Sequence, residues 1–345
     1  MNAPELLKHM KTPGDDGLVL RLKTLTPLYT GGIGQEGDQI HPSNLLGGVR
    51  HFSCLVARAL GDAAFEGTVW GNAGQGGVKA EAKQVALHWD LSGLKSFRLP
   101  GEIRIPKNGG DQSKWWFNTG YEGALDLTLT RRGISDANWQ MLQLALAIQV
   151  RHATFGAKDQ FGLGVLGWQG APFKPVALDV SHPWPKAEGF SFMRYAFARV
   201  ELTPRPGEKP RLQTSSSLVV ALGLRSSLRN ALRAKENDPP AEQERLKALR
   251  HLMLGKLNIA GSAVNVSAAY PTPQAEDAVE ARIAVALKPD TPEARKEVMT
   301  RFRSAVNDAS DSISASGYKV GDVTWQFGGA HTNDKAAWLN QLAGA

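Results

Sequence analysis

Residues 121–168, YEGALDLTLTRRGISDANWQMLQLALAIQVRHATFGAKDQFGLGVLGW, and residues 279–325, VEARIAVALKPDTPEARKEVMTRFRSAVNDASDSISASGYKVGDVTW, follow one plan. Each opens on a strand-like run, passes into a stretch with apolar residues at three- and four-residue steps, turns at a Gly-containing segment, and ends on a second strand closed by Trp. The two closing residues, Trp168 and Trp325, lie 157 residues apart, and Glu122 and Glu280 near the openings keep nearly the same interval. In the first copy the strand covers Ala124–Thr130 and the helix 136–153. Ser135 or Asp136 caps that helix, and Trp139, Leu142, Leu146 and Val150 form its buried stripe. In the second copy Thr291 is the N-cap and Pro292 sits at N1, with Ala294, Val298, Phe302 and Ala305 as the stripe.

The segments upstream repeat as well. At 18–30, LVLRLKTLTPLYT, Leu18, Leu20 and Leu22 alternate with Val19, Arg21 and Lys23, which predicts a strand with one polar face. Glycines 31, 32 and 34 follow, then a helix from Ser43, the expected N-cap, to about Leu60, buried through Leu45, Val49, Phe52, Val56 and Leu60. In the second half a strand at Tyr195–Leu202 runs into Thr203-Pro204, as the first runs into Thr26-Pro27, and a helix is predicted at about 218–234. KENDPPAEQER (235–245) reads as a solvated loop before a short helix ending at Gly255. Between the first-half helices lie strand-like runs at Gln84–Trp89 and Glu102–Pro106, and an exposed loop or hairpin tip over 106–120. Prolines 172, 175, 183 and 185 mark the boundary between the halves. Each half reads β-α-(irregular)-β-α-β. The expectation is an α+β protein of two tandem ferredoxin-like (RRM-like) domains with insertions: a first domain over 1–170, a Pro-rich linker over 171–192 and a second domain over 193–345.

Bulk properties narrow the partners. The net charge of +7 favours a polyanion such as nucleic acid. No apolar run is long enough for a membrane helix, and the first residues lack a signal-peptide core, so a cytoplasmic protein without a membrane partner is expected. Cys54 is the one cysteine and falls inside an apolar helical pattern, which predicts a buried side chain rather than a disulfide. The scattered histidines and acids show no metal-ligand spacing, and there is neither a P-loop nor a dinucleotide fingerprint. No cofactor and no metal are expected.

Three pieces of sequence carry a resemblance. Leu25-Thr26-Pro27-Leu28-Tyr29-Thr30-Gly31-Gly32, then Pro42-Ser43-Asn44-Leu45-Leu46-Gly47-Gly48-Val49-Arg50, then the glycine-rich stretch Gly156–Gly167, resemble the motifs of the RAMP superfamily of CRISPR-associated proteins. Leu222-Gly223-Leu224-Arg225 and Leu254-Gly255 form a weaker second copy. Within that superfamily the pattern is most similar to the double-RAMP cap subunits of type III-B effector complexes. The resemblance implies a subunit that binds guide RNA and target RNA at the end of a backbone filament, beside backbone subunits and a second RAMP subunit, with catalysis left to its neighbours.

The resemblance also implies where RNA would be met. It points to Ser43, Asn44, Gly47 and Arg50 at the first helix start, and to Gly156, Lys158 and Gln160 in the glycine-rich loop, where backbone N–H groups can come close to a phosphate. In the second half it points to Arg225 and Arg229. Lys107, Lys114 and Trp115, with Trp116 and Phe117 beside them, would reach out from a first-domain hairpin to stack on or part the bases. Two alternatives stay open. One is a metal-independent endoribonuclease that processes guide precursors, with His41 as general base; Asp38 is, by position, the candidate for the loop Asp with which a backbone-type RAMP subunit cuts target RNA. The other is a subunit that touches proteins only.

Overall fold

Leu20 and Leu22 are fully buried while Val19, Arg21 and Lys23 on the same strand point outward. The strand they make, β1 (Gly17–Thr24), is the centre of the first sheet in the computed structural model of the chain. The structure describes residues 17–30, 39–74, 80–99, 102–107, 110–115, 119–156, 162–187, 189–255, 261–272, 278–327 and 334–345, with the backbone alone for 102–107 and 110–115. β1 stops at Thr24, six residues short of the alternation in the sequence. Pro27 has no N–H for a ladder, and the chain turns aside to a different partner: Leu25 and Thr26 donate their N–H groups to Val165 O, and Thr26 Oγ1 accepts from the Val165 N–H at 2.9 Å.

The first half continues with α1 (Pro42–Ala59), α2 (Phe65–Trp70), β2 (Val85–Asp90), β3 (Leu94–Arg98), β4 (Glu102–Lys107), β5 (Gly110–Trp115), β6 (Thr119–Arg131), α3 (Asp136–His152) and β7 (Leu166–Trp168). Ser43 is not the cap of α1: Pro42, with its fixed φ, occupies N1, so the extended His41 is the N-cap. Ser135 does cap α3, accepting from the Asn138 N–H at 3.3 Å. Leu166–Trp168, lying beyond the glycine-rich loop, pairs with β1 from the side opposite β6.

The second half comprises β8 (Tyr195–Pro204), α4 (Thr214–Ala231), α5 (Pro240–Leu254), β9 (Val264–Val266), β10 (Tyr270–Pro271), β11 (Val279–Ala286), α6 (Pro292–Asn307), β12 (Tyr318–Phe327) and a closing helix α7 (Lys335–Ala343). α4 starts at Thr214, four residues ahead of the sequence expectation. The loop expected over 235–245 ends early, because Pro240 opens α5 and Ala241–Arg245 already lie in it. Thr291 caps α6 as read, accepting from the Ala294 N–H at 3.2 Å.

The protein is α+β, with two antiparallel sheets of matching order. The first runs β2-β6-β1-β7 with β3 also on β6, and the second runs β10-β11-β8-β12 with β9 also on β11. In each, the first strand of the half lies inside, between the strand before the last long helix and the strand after it. Each sheet buries one face under two long helices. Leu20, Leu127 and Leu129 meet α1 and α3 in one core, and Val200, Ile283 and Val285 meet α4 and α6 in the other. β4 and β5 stand apart as a two-stranded hairpin, paired from Glu102↔Trp115 to Lys107↔Gly110, and β4 lies against α4 of the other half.

The halves are joined by more than a linker. α7 follows the second half in sequence but packs into the first core, where Ala336, Leu339 and Leu342 are almost wholly buried. The proline-rich segment is fastened alongside: Leu178 and Asn340 exchange two hydrogen bonds of 2.8 and 2.9 Å, and Gln140 Nε2 donates to Ala177 O at 2.7 Å. A polar network crosses between the halves. Arg282 Nη1 donates to Val150 O at 2.7 Å and its Nε to the Tyr270 hydroxyl; Tyr270 donates to Glu280 at 2.7 Å, and Arg199 pairs with Glu280 at 3.2 Å. Both Arg282 and Arg199 reach carbonyls at the C-terminal end of α3, where the helix dipole favours cations.

Candidate nucleic-acid interface

Thr30 decides how α1 is presented. Its side chain is buried, its Oγ1 accepts from the His41 N–H at 2.7 Å, and its carbonyl accepts from Asn44 Nδ2. The end of the Thr-Pro-Leu-Tyr-Thr segment is therefore tied to the first turn of α1. The middle of that segment is stitched elsewhere: Leu28 and Tyr121 exchange backbone bonds at 2.8 and 3.0 Å, and Gly164 donates to Pro27 O at 2.8 Å. Leu28 and Tyr29 are buried. These motif residues hold the helix start in place.

What α1 then offers to solvent is the row Ser43, Asn44, Gly47 and Arg50, all exposed, at helical spacing. Gly47 is distinct among them. Among the described residues a Cβ placed on it would meet nothing within 4 Å, so no described packing calls for glycine there. Its neighbour Gly48 faces Gln149 instead, at 3.7 Å. Arg50 is not a lone cation: Glu66 on α2 takes its Nε at 3.2 Å and its Nη2 at 3.1 Å, and also takes Arg58 at 3.2 Å. Two arginines on one carboxylate leave a surplus positive charge beside the glycine. The sequence reading had no signal for Glu66, because the pair spans two helices.

The glycine-rich loop is a packing device over its described part. Gly156 has φ +82° and a Cβ there would lie 2.3 Å from Tyr29 O; Gly164, φ +86°, would clash with Phe155 O. Gly162 abuts the second half, where its carbonyl accepts from the Ala268 N–H at 2.9 Å. Leu163 is fully buried in a cluster with Tyr29, Leu218 and Leu222. Lys158 and Gln160 lie outside the described residues, as do Asp38, Gly31, Gly32, Trp116 and Phe117. Of Lys107, Lys114 and Trp115 the backbone is described: Lys114 pairs with Ile103, Trp115 with Glu102 and Lys107 with Gly110.

In the second half Arg225 is turned inward. Its Nη1 donates to Val264 O at 2.8 Å and its Nη2 to Leu254 O at 3.3 Å, closing the end of α5 onto β9. Arg229, one turn further along α4, is exposed. Gly223, which precedes Arg225 by two residues, packs against Ser312 O, where a Cβ would come within 2.3 Å.

The outward face of the first sheet carries Val19, Arg21, Thr128, Asp126, His88 and Asp90, with no Phe, Tyr or Trp among these central positions. It is not a stacking platform for bases of the kind that RNA-recognition sheets use. His41 is half-buried and contributes its backbone N–H to the helix start. Cys54 is buried and its thiol is pushed up to about 11 by that burial, so it is no nucleophile. Among the described residues no group of three or more His, Cys, Asp or Glu side chains is gathered as for a metal, and no helix is long and apolar enough to cross a membrane.

No family model and no curated protein matches the sequence. Among the solved structures with a similar course of chain are Cmr1 and chains of the Cmr-beta complex. The chain is similar to apo Cmr1 from Pyrococcus furiosus at a TM-score of 0.43 and 11% identity, over 90% of this chain and 98% of that one. A chain of the type III-B Cmr-beta complex bound to cognate target RNA gives 0.44 and 9%, over 84% and 100%. The same complex with target RNA and AMPPnP, in the presence of single-stranded DNA, gives 0.43 and 9%, over 84% and 99%.

Proposed function

We propose that this chain is an RNA-binding subunit of a type III CRISPR ribonucleoprotein effector complex. In this reading it contacts guide or target RNA at the end of the backbone filament and has no catalytic step of its own. The RAMP-like motifs support this, and so does the doubled strand order. An inner first strand, a third strand on one side of it, a fourth on the other and two helices on one face support the ferredoxin-like reading of each half. The observation that carries the proposal is Gly47. Glycine inside an exposed helix costs roughly 1 kcal/mol against alanine, and nothing among the described residues needs its missing side chain. A strand or partner lying across α1 does need it. With Arg50 and Arg58 in surplus over Glu66 next to it, a phosphate backbone fits that requirement.

The test uses purified protein and labelled single-stranded RNA of about 40 nucleotides. Binding that weakens with salt, with RNA left uncut, is expected. Gly47→Glu should weaken binding at least about tenfold, since it adds bulk and a negative charge where the backbone passes. Binding unchanged in that variant would remove α1 from the interface. Cleavage in EDTA that is lost in His41→Ala would replace the proposal with a guide-processing nuclease.

A further inference from the structure

On the outer helices of the second half Arg245 and Arg301 are paired with acids, while Arg225 and Arg295 are spent on backbone carbonyls. Arg245 is held by Glu242 and by Glu297 at 2.6 and 2.8 Å, and Arg301 by Glu297 at 2.9 Å. Where α4 ends, the pattern breaks. Arg229 and Arg233 are four residues apart, and the Arg233 N–H donates to Asn230 O at 2.9 Å, which carries the turn of α4 on to it. Both are exposed, and among the described residues neither has a carboxylate partner. Arg250, in the last turns of α5, completes the group. Its Nε is shut off from solvent and meets no acceptor among the described residues. Arg225, one turn before Arg229, donates to Leu254 O, one turn past Arg250, and Leu228, Leu232, Leu249 and Met253 share one core, so the two helix ends lie side by side and bring the three arginines together. Burial and then the charges of Arg229 and Arg233 lower the Arg250 guanidinium's affinity for its proton, in keeping with that grouping.

Three like charges with one enclosed unsatisfied N–H cost free energy in the isolated protein. An anion with several acceptor oxygens relieves all of it at once, and guanidinium forks fit phosphate oxygens in pairs. We infer that Arg229, Arg233 and Arg250 form a phosphate-binding site at the end of α4, and that its occupant is the sugar-phosphate backbone of an RNA strand. The site is on the opposite half of the molecule from Gly47 and Arg50, so a strand that fills both crosses from one half to the other. The choice of RNA as the source of phosphate rests on the function proposed above; the anion site does not.

The experiment has two arms on the full chain, with Arg229→Ala/Arg233→Ala as the variant. In the first, tripolyphosphate alone is titrated while the unfolding temperature is read. It should rise for the wild type and not for the variant. An equal response of both, or none in either, would overturn the site, as would a variant that melts several degrees lower without ligand, which would make the arginines structural. In the second arm RNA affinity is measured from 50 to 200 mM salt. The slope of log K on log salt should shrink by about 1.4 in the variant, at about 0.7 per phosphate contact on a single strand. Loss of the tripolyphosphate response with an unchanged RNA slope would overturn RNA as the occupant. A wild type that responds to tripolyphosphate and binds no RNA would sink both RNA claims and leave the anion site.

Discussion

Gly47 and Gly156 put the same residue to opposite uses. At Gly156 the backbone is left-handed and Tyr29 O occupies the space of a side chain, so Gly156→Ala should destabilise the fold by about 1–3 kcal/mol. At Gly47 the helix is ordinary and the space is open, so Gly47→Ala should stabilise it by about 1 kcal/mol. Urea unfolding of the two variants measures both signs. His152 is a third residue with a measurable consequence. Burial, then Arg199 and Arg282, push its imidazole down to about 3, and its Nε2 lies 3.0 Å from Leu342 O. The unfolded chain binds the proton near pH 6.5 and the folded one does not until about 3. Stability is therefore full above pH 6.5 and is lost as pH falls through that window. His152→Gln should flatten the decline in unfolding temperature between pH 7 and pH 4.

Elements differed in how far the sequence announced them. α3 and α6 were plain because cap, stripe and turn agree within one stretch: Ser135 and Thr291 each accept the bond their position requires. Thr291→Ala should cost about 1 kcal/mol, read as a lower urea midpoint with unchanged slope. β1 was found but overrun, because Leu25, Leu28 and Tyr29 continue an apolar run while bonding to Val165 and Tyr121 rather than to the sheet ladder. α7 had no reading at all. Its burial is decided by the first core more than 150 residues away in sequence, as the Leu178–Asn340 pair shows. The candidate site divides in the same way. The exposed row Ser43, Asn44, Gly47 and Arg50 follows from helical spacing alone. The inward turn of Arg225 depends on the carbonyls of Val264 and Leu254, 39 and 29 residues distant, and no local pattern marks it.

At the scale of the whole molecule the two sheets do not behave as beads on a string. The Arg282–Tyr270–Glu280–Arg199 network is shared between halves, and so is the apolar cluster of Leu163, Tyr29, Leu218 and Leu222. Thermal unfolding followed separately by tryptophan fluorescence and by far-ultraviolet circular dichroism should give coincident transitions. Arg282→Met should cost about 1–3 kcal/mol, because it removes the enclosed donor to the Tyr270 hydroxyl and to Val150 O. A first transition that leaves half the signal intact would show that the halves melt independently. The closing helix has its own bearing on how the chain comes to be folded. Leu339 and Leu342 fill the first core, so on the ribosome that core stays open until the whole second half and α7 have emerged. The first half thus waits, with apolar surface uncovered, for a helix made after the second half, and during synthesis this protein depends on whatever shields that surface in the interval.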